Sequence, residues 1–396
     1  MRILLLTAAT GGGHDMRANA LSRWAARLTD WDTEIHRPLE QSHVFYRFGV
    51  DTYNWIQRTA PRLHHGYFGF LELAALHRGP RRILGAKRYL SVLESLRPDL
   101  IISTHAHLNH GFFALARDKL GRSKVRCITY CGELGGGYGF SRHWVNPDAD
   151  LFIGAVDETV EAAIALGMPA SKAWRGGFLL FPEFYDSESG QERRARFIRE
   201  ELEMDAGEFI LLLATGAVGA NNHLDIVESL ERRAKPVQVV ALCGNDEKTF
   251  TSLESWKGHG SAVRLKPLRY RRDMSRVLGA VSAVLARPGT GTTSEAIVSG
   301  RPLIMNGIGG VMPQESVTMR YSTRHRIART ISSAAEVAEI LDVWERDPNE
   351  LAELEKNVHG LLPDRHPRDI LEHAAGCALG SFERSAANAH AGRGSL

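Results

Sequence analysis

Nine consecutive residues, Arg287-Pro288-Gly289-Thr290-Gly291-Thr292-Thr293-Ser294-Glu295, carry the most informative chemistry in the sequence. An apolar run from Val277 to Leu285 precedes them. Ala296-Ile297-Val298 follows, and then Gly300-Arg301-Pro302-Leu303-Ile304-Met305. The pattern predicts strand, small-residue turn, helix and strand. A turn of glycine and threonine leaves backbone N–H groups uncovered at a helix start, where the helix dipole favours an anion. Glu295 falls one turn into that helix, placed to accept from a vicinal diol such as a ribose. A phosphate cradle with an acid beside it suggests a nucleotide diphosphate, although an ordinary β–α turn has the same composition.

His14 is a second candidate. It follows Gly11-Gly12-Gly13 and an all-apolar stretch, residues 3–9, that predicts a central parallel strand covered on both faces. A helix is predicted from Met16 to Leu28, with Ala18, Leu21, Trp24, Ala25 and Leu28 on one face. Strand C-termini that meet helix N-termini are where open α/β sheets bind ligands, and an imidazole there suits a general base at neutral pH. A helix-capping or simply exposed histidine is the alternative. The triple glycine is not G-x-G-x-x-G, and no acid follows a suitably placed second strand, so a dinucleotide site is not supported.

A strand predicted at Leu100-Ile101-Ile102-Ser103 ends in a polar stretch with His105, His107 and His110. No acid or cysteine completes a metal set there, so it is read as a strand end facing the same cleft as His14. The glycine-rich loop from Cys131 to Phe140 holds Glu133 and is either a mobile flap or a close backbone approach to a ligand. Between residues 43 and 77 the aromatics cluster: Phe45, Tyr46, Phe48, Tyr53, Trp55, Tyr67, Phe68 and Phe70, with Arg47, Arg58 and Arg62 among them. Arg78, Arg81, Arg82, Lys87 and Arg88 follow. Apolar residues beside a cationic strip suit an interfacial helix on an anionic lipid surface, and equally a helix pair covering the sheet.

The chain has 396 residues, 43% hydrophobic, and alternates strands with helices in two halves. This predicts an α/β protein of two doubly wound, Rossmann-like domains facing a central cleft. The boundary is placed at the Pro182–Gly190 stretch, giving domains 1–181 and 182–383, with 384–396 as a disordered tail. A net charge of +3 with no recognised RNA or DNA module argues against nucleic acid. Four cysteines without a C-x-x-C pair imply reduced thiols in a cytosolic protein. No apolar run is long enough to span a membrane, and Ile3–Leu6 reads as a buried strand, not a signal core.

Several motifs together resemble one group. Gly11-Gly12-Gly13-His14, the aromatic–basic segment, Cys243-Gly244-Asn245-Asp246-Glu247-Lys248, Arg287 to Ala296, Gly300-Arg301-Pro302-Leu303-Ile304 and Pro313-Gln314-Glu315 occur in an order and spacing similar to the monogalactosyldiacylglycerol synthases. The processive diacylglycerol glucosyltransferases are also similar, and more distantly the enzyme that adds N-acetylglucosamine to lipid I. The resemblance implies a GT-B glycosyltransferase, inverting and without a catalytic metal or cofactor, that moves a hexose from a UDP-sugar to a lipid hydroxyl of diacylglycerol or a glycosyldiacylglycerol. It implies a cytoplasmic protein, peripheral at the inner face of the cell membrane.

On the same resemblance Gly289, Thr290, Gly291, Thr292 and Thr293 cradle the diphosphate, Glu295 holds the ribose, and Gln314 and Glu315 read sugar hydroxyls. Gly216 and Gly219 belong to a further donor loop. A diphosphate leaving group also needs a cation, for which Arg264 and Arg287 are the candidates. His14 is the base or orients the acceptor, with Glu133 as a second acid–base candidate. Gly12, Gly13, His105, Phe45, Trp55, Tyr67 and Phe68 fall to the acceptor and membrane side. Two departures stand out: Arg287-Pro288-Gly289-Thr290-Gly291-Thr292 stands where the group has Lys-Ala-Gly-Pro-Gly-Thr, and Cys131-Gly132-Glu133 replaces its Thr-Asp. A soluble acceptor, epimerisation of a UDP-sugar, or a non-catalytic UDP-sugar-binding module are the competing readings. The sequence leaves the donor sugar, linkage and oligomeric state open.

Overall fold

The computed structural model describes residues 1–59, 63–74, 78–186, 190–214, 222–258 and 262–379. The first unit contains strands β1 (Arg2–Leu6), β2 (Asp32–His36), β3 (Leu100–Ser103), β4 (Arg126–Cys131), β5 (Leu151–Gly154) and β6 (Ala173–Arg175). Its helices are α1 (Gly13–Leu28), α2 (Pro38–Ser42), α3 (Val44–Thr59), α4 (His64–Ala74), α5 (Ala86–Leu96), α6 (Gly111–Leu120) and α7 (Asp157–Ala165). After α8 (Gln191–Glu200), the second unit has strands β7 (Ile210–Leu213), β8 (Val237–Gly244), β9 (Val263–Arg269), β10 (Ala283–Ala286), β11 (Leu303–Asn306) and β12 (Ala328–Ile331). Between these strands lie α9 (His223–Leu230), α10 (Glu247–Glu254), α11 (Met274–Ala280), α12 (Thr290–Val298) and α13 (Pro313–Arg324). Helices α14 (Ala335–Arg346), α15 (Pro348–His359) and α16 (Pro367–Ala378) end the described chain.

Both sheets are parallel throughout, with strand orders β2-β1-β3-β4-β5-β6 and β12-β11-β10-β7-β8-β9. Apolar side chains on both faces of the central strands explain this: Ile3 and Leu5 pack under α1, while Leu4 and Leu6 face Tyr89, Leu93 and Phe112 on the other side. In each sheet the winding reverses once, between β1 and β3 and between β7 and β10. Loops leaving those strands therefore diverge to opposite faces and open a crevice at the strand C-termini. His14 and Thr104 follow β1 and β3, and Arg287 to Gly289 follow β10.

The chain differs from its sequence reading in three places. The apolar run 277–285 is not one strand: α11 ends at Ala280 and β10 begins at Ala283. β2, β6 and β12 were not anticipated; all three are sheet edges, open on one side and free of the apolar run that marks a central strand. Finally, α16 does not stay with the second unit. Ile370, Leu371 and Ala374 pack among Leu21, Trp24, Ile128 and Tyr130, so this helix returns to cover the first sheet. The expected disordered tail, 384–396, lies outside the described residues.

The units are fastened at several points. Residues 180–186 clasp α1: Trp24 Nε1 donates to the Leu180 carbonyl at 2.8 Å, Arg23 pairs with Glu183, and Arg27 with Asp186. Arg175 pairs with Asp364, and His325 with Glu158. The glycine-rich loop is packed, not free. Arg320 of α13 donates to the carbonyls of Gly136 and Tyr138, and Gly139 lies against the backbone of Pro313. Gly139 has φ +93°, and a Cβ there would fall 1.8 Å from the Pro313 carbonyl oxygen. Gly139→Ala should lower the melting temperature by far more than Gly167→Ala. Gly167 shares a left-handed φ of +101° but has open space around it. Strain alone accounts for roughly 1–3 kcal/mol, so equal losses in the two variants would contradict a contact role for Gly139.

Candidate active site

One cavity of about 1510 Å³ lies between the units. On the first-unit wall the loop after β1 turns on Gly11 and Gly12, at φ +68° and +80°, so that α1 starts at Gly13 without a side-chain cap. His14 sits on its first turn. His14 Nδ1 is 2.8 Å from the Thr104 carbonyl at the end of β3. A carbonyl only accepts, so Nδ1 carries the proton and Nε2 keeps its lone pair. Burial holds the ring's pKa down to about 4; the Arg17 charge adds to this, and the Thr104 carbonyl opposes it. The imidazole is thus neutral at neutral pH. His105 stands edge-on to it with ring centroids 4.6 Å apart, and its own Nε2 is 3.1 Å from Thr10 Oγ1.

Arg17, one turn further along α1, was not singled out from the sequence. The signal was a charged residue in register with the buried face formed by Leu21, Trp24 and Leu28. Its guanidinium is buried and reaches across the cavity. Nη1 donates to the Gly13 carbonyl at 3.2 Å, and Nη2 to the Gly132 carbonyl at 3.0 Å and to Thr290 Oγ1 at 2.9 Å. Glu133, beside Gly132, is buried, and its Oε2 has no hydrogen-bond partner among the described residues. Desolvation raises its pKa to about 7, with Arg17 acting the other way.

The opposite wall is the N-terminus of α12. Gly289 precedes it with no side-chain cap, which leaves the first N–H groups of the helix for a ligand. Gly289, Thr290, Gly291, Thr292 and Glu295 line the cavity; Thr293 is buried behind them, and its hydroxyl has no partner among the described residues. The Glu295 carboxyl is also pushed up to about 7, by burial first and against the pull of Arg17. Gln314 lines the same space with an unpartnered Oε1.

Other candidates fall elsewhere or are otherwise engaged. Arg287 grips Glu315 through Nε and Nη2, at 3.1 and 2.5 Å, and donates to the carbonyls of Ile308 and Gly310. Glu315 Oε2 also accepts from the Met312 N–H that begins α13. Both residues line the cavity, but their side-chain donors and acceptors are spent on securing the loop between β11 and α13. Arg264 is exposed on the edge strand β9 beside Lys266 and Glu203, and does not line the cavity. Gly216 and Gly219 lie outside the described residues.

From this polar centre an apolar arm runs between α2, α3 and α4, lined by Leu39, Tyr46, Val50, Phe68, Leu71 and Leu84. Phe45 and Tyr67 also line it, and Tyr67 ties α4 to the Gly49 carbonyl of α3. Trp55 is exposed on α3 and does not line the cavity. Val44, Phe45, Phe48, Phe70 and Leu73 are exposed on the same two helices. No helix among the described residues is long and apolar enough to cross a membrane. No group of three or more metal-ligating side chains is present among them either.

Residues 210–306 match the glycosyltransferase family 28 C-terminal domain. The chain is 24% identical to monogalactosyldiacylglycerol synthase 2, chloroplastic, of Arabidopsis thaliana over 93% of its own length and 79% of that protein. Among solved structures, MurG of Acinetobacter baumannii superposes with a TM-score of 0.60 at 13% identity, covering 94% of this chain and 99% of MurG. Anabaena HepE in complex with UDP-glucose gives 0.57 at 14% identity, covering 96% of this chain and all of HepE, 100%. The chain has the two-unit α/β fold of the GT-B glycosyltransferases, carries a match to the family 28 C-terminal domain and resembles the monogalactosyldiacylglycerol synthases.

Buried carboxyls give this site a pH signature. Below about pH 4.5 the Glu133 carboxyl is neutral whether the chain is folded or not; from there to about 7 only the unfolded chain ionises it. Stability therefore falls as pH rises through this window, by up to roughly 3 kcal/mol. Glu133→Gln should remove this loss, so its melting temperature should gain on the native protein between pH 5 and pH 8. A gap independent of pH would show that the carboxyl is not held neutral.

Proposed function

We propose that this protein is an inverting hexosyltransferase that needs no metal and moves a hexose from a UDP-sugar to the hydroxyl of a membrane lipid, diacylglycerol or a glycosyldiacylglycerol. The observation that carries this reading is the pairing of two features across one cavity. On one wall is a histidine whose tautomer leaves Nε2 able to take a proton. Facing it is a helix start with no cap and with small residues that bring backbone N–H groups close to a ligand. An inverting displacement needs this division: a base beside the acceptor oxygen, and fixed dipoles where charge collects on the leaving group. No nucleophile on the enzyme is required.

The acceptor class is supported by the apolar arm, which opens from the polar centre toward the exposed side chains of α3 and α4. Exposed Arg81, Arg82, Lys87 and Arg88 follow those helices, which favours an anionic lipid surface. A lipid hydroxyl could then reach His14 while its chains remain in the arm, with the protein resting peripherally on the cytoplasmic face of a membrane. The name of the Arabidopsis relative points to the same acceptor, and the HepE complex to a UDP-sugar donor.

Purified protein, UDP-glucose, UDP-galactose, UDP-glucuronate or UDP-N-acetylglucosamine, and diacylglycerol vesicles should yield UDP and a glycolipid by mass spectrometry. The product anomer should be opposite to that of the donor, and EDTA should leave turnover unchanged. His14→Ala should lower kcat by on the order of a hundredfold to ten-thousandfold. Unchanged turnover in both His14→Ala and Glu295→Ala would sink the assignment. In flotation with anionic vesicles, a Phe45→Ser and Phe48→Ser double variant should lose lipid binding while keeping its UDP affinity. A native protein that stays unbound would argue for a soluble acceptor.

A further inference from the structure

Two arginines are buried among the described residues, Arg17 and Arg233. Arg233 is neutralised by Asp342 and Glu345, at 2.9 and 2.5 Å. Arg17 has no such acidic partner: its hydrogen bonds go to the carbonyls of Gly13 and Gly132 and to the hydroxyl of Thr290, with the Tyr130 hydroxyl also beside it. A buried cation satisfied only by neutral acceptors is expensive to keep, and its placement makes sense where an anion arrives. Among the described residues neither Glu133 nor Glu295 forms an ion pair or hydrogen bond with Arg17, and burial pushes both carboxyls up to about 7, against the pull of Arg17.

A nucleoside diphosphate leaving group needs a cation, and the two arginines expected to provide it are unsuited. Arg287 is committed to Glu315, and Arg264 is on an outer strand. We propose that Arg17 is the cation that meets the donor's diphosphate, presented across the cleft by the first unit onto the N-terminus of α12. This rests on the nucleotide-sugar reading above. Nη2 already touches Thr290 Oγ1, on the first residue of the helix whose free N–H groups form the cradle. The neighbouring backbone is shaped to admit the guanidinium: a Cβ on Gly132 would lie 1.9 Å from Arg17 Nε. Gly132 is thus glycine because Arg17 occupies the space a side chain would take.

In the transfer, a bond forms between the acceptor oxygen and the anomeric carbon as the bond from that carbon to the β-phosphate oxygen breaks. The electron pair stays on the diphosphate, where Arg17 and the α12 N–H groups receive it, and the acceptor proton passes to His14 Nε2. Because the guanidinium comes from the first unit and the cradle from the second, the phosphate site is whole only when the units are closed on each other.

Calorimetric titration with UDP and with uridine tests this, using native protein, Arg17→Met and Arg17→Lys. Arg17→Met should bind UDP about tenfold to a hundredfold more weakly, as expected for a lost charged hydrogen bond, and bind uridine unchanged. Its kcat should fall on the order of a hundredfold to a thousandfold, with KM for the acceptor unaltered. Arg17→Lys should fall between, since an ammonium keeps the charge but not the forked reach. Added guanidinium ion should restore part of the turnover to Arg17→Ala. Unchanged UDP affinity in Arg17→Met would overturn the proposal, as would parallel losses of UDP affinity, uridine affinity and melting temperature, which would mark a packing bridge. Native protein that binds none of UDP, dTDP and GDP would overturn the donor reading itself.

Discussion

The reversal of winding in each parallel sheet is the constraint on which the site depends. A strand covered on both faces sends its helix to one side, and the adjacent strand beyond the reversal sends its helix to the other. Only there do two strand ends leave a gap unfilled by a crossing helix. The first sheet places His14 and Thr104 on the two sides of its gap, which is why one can orient the other. The second sheet places the Arg287 turn and the start of α12 beside its own gap. Facing the gaps toward each other converts two ordinary loop sites into one deep cleft.

Burial of the side chains at its base then sets the electrostatics. Removing water disfavours every charged form, so an imidazole titrates low and two carboxyls titrate high for the same reason. The result is a polar centre in which His14 is neutral, Glu133 and Glu295 are pushed up to about 7, and the Arg17 guanidinium reaches between the two walls. In that setting a negative ligand meets fixed N–H dipoles and a guanidinium with little solvent to compete. The bidentate Arg287–Glu315 pair serves a different purpose. It ties the end of β10 to the start of α13, and thereby holds the Gln314 side of the cavity in place.

Much of this was legible in the residues. The central strands announced themselves because burial on both faces demands unbroken apolar runs, as in Ile3–Leu6 and Ile210–Leu213. Edge strands did not, since Asp32–His36 and Ala328–Ile331 need only one covered side and carry polar residues. Glycine-rich turns marked both walls of the cavity. What the chain order hid was partnership at long range. Nothing local says that Arg287 closes on Glu315, that Arg264 faces outward, or that Arg17 reaches Thr290 across 273 positions of sequence. Nor does local patterning reveal that α16 leaves the unit that precedes it, because its apolar stripe fits either sheet equally well.

That returning helix has a mechanical consequence. Two stretches of backbone at the junction of the units, 180–186 and 360–366, lie against α1: Trp24 touches Tyr185 of the first and His366 of the second. Two neighbouring tethers on one edge behave like the two knuckles of a door hinge. They permit the units to swing about the line joining them and resist twisting or sliding. Opening along that single arc carries the mouth of the cleft furthest and the tethered edge least, so bulky substrates can enter and leave while the relative register of the two walls is restored at each closure.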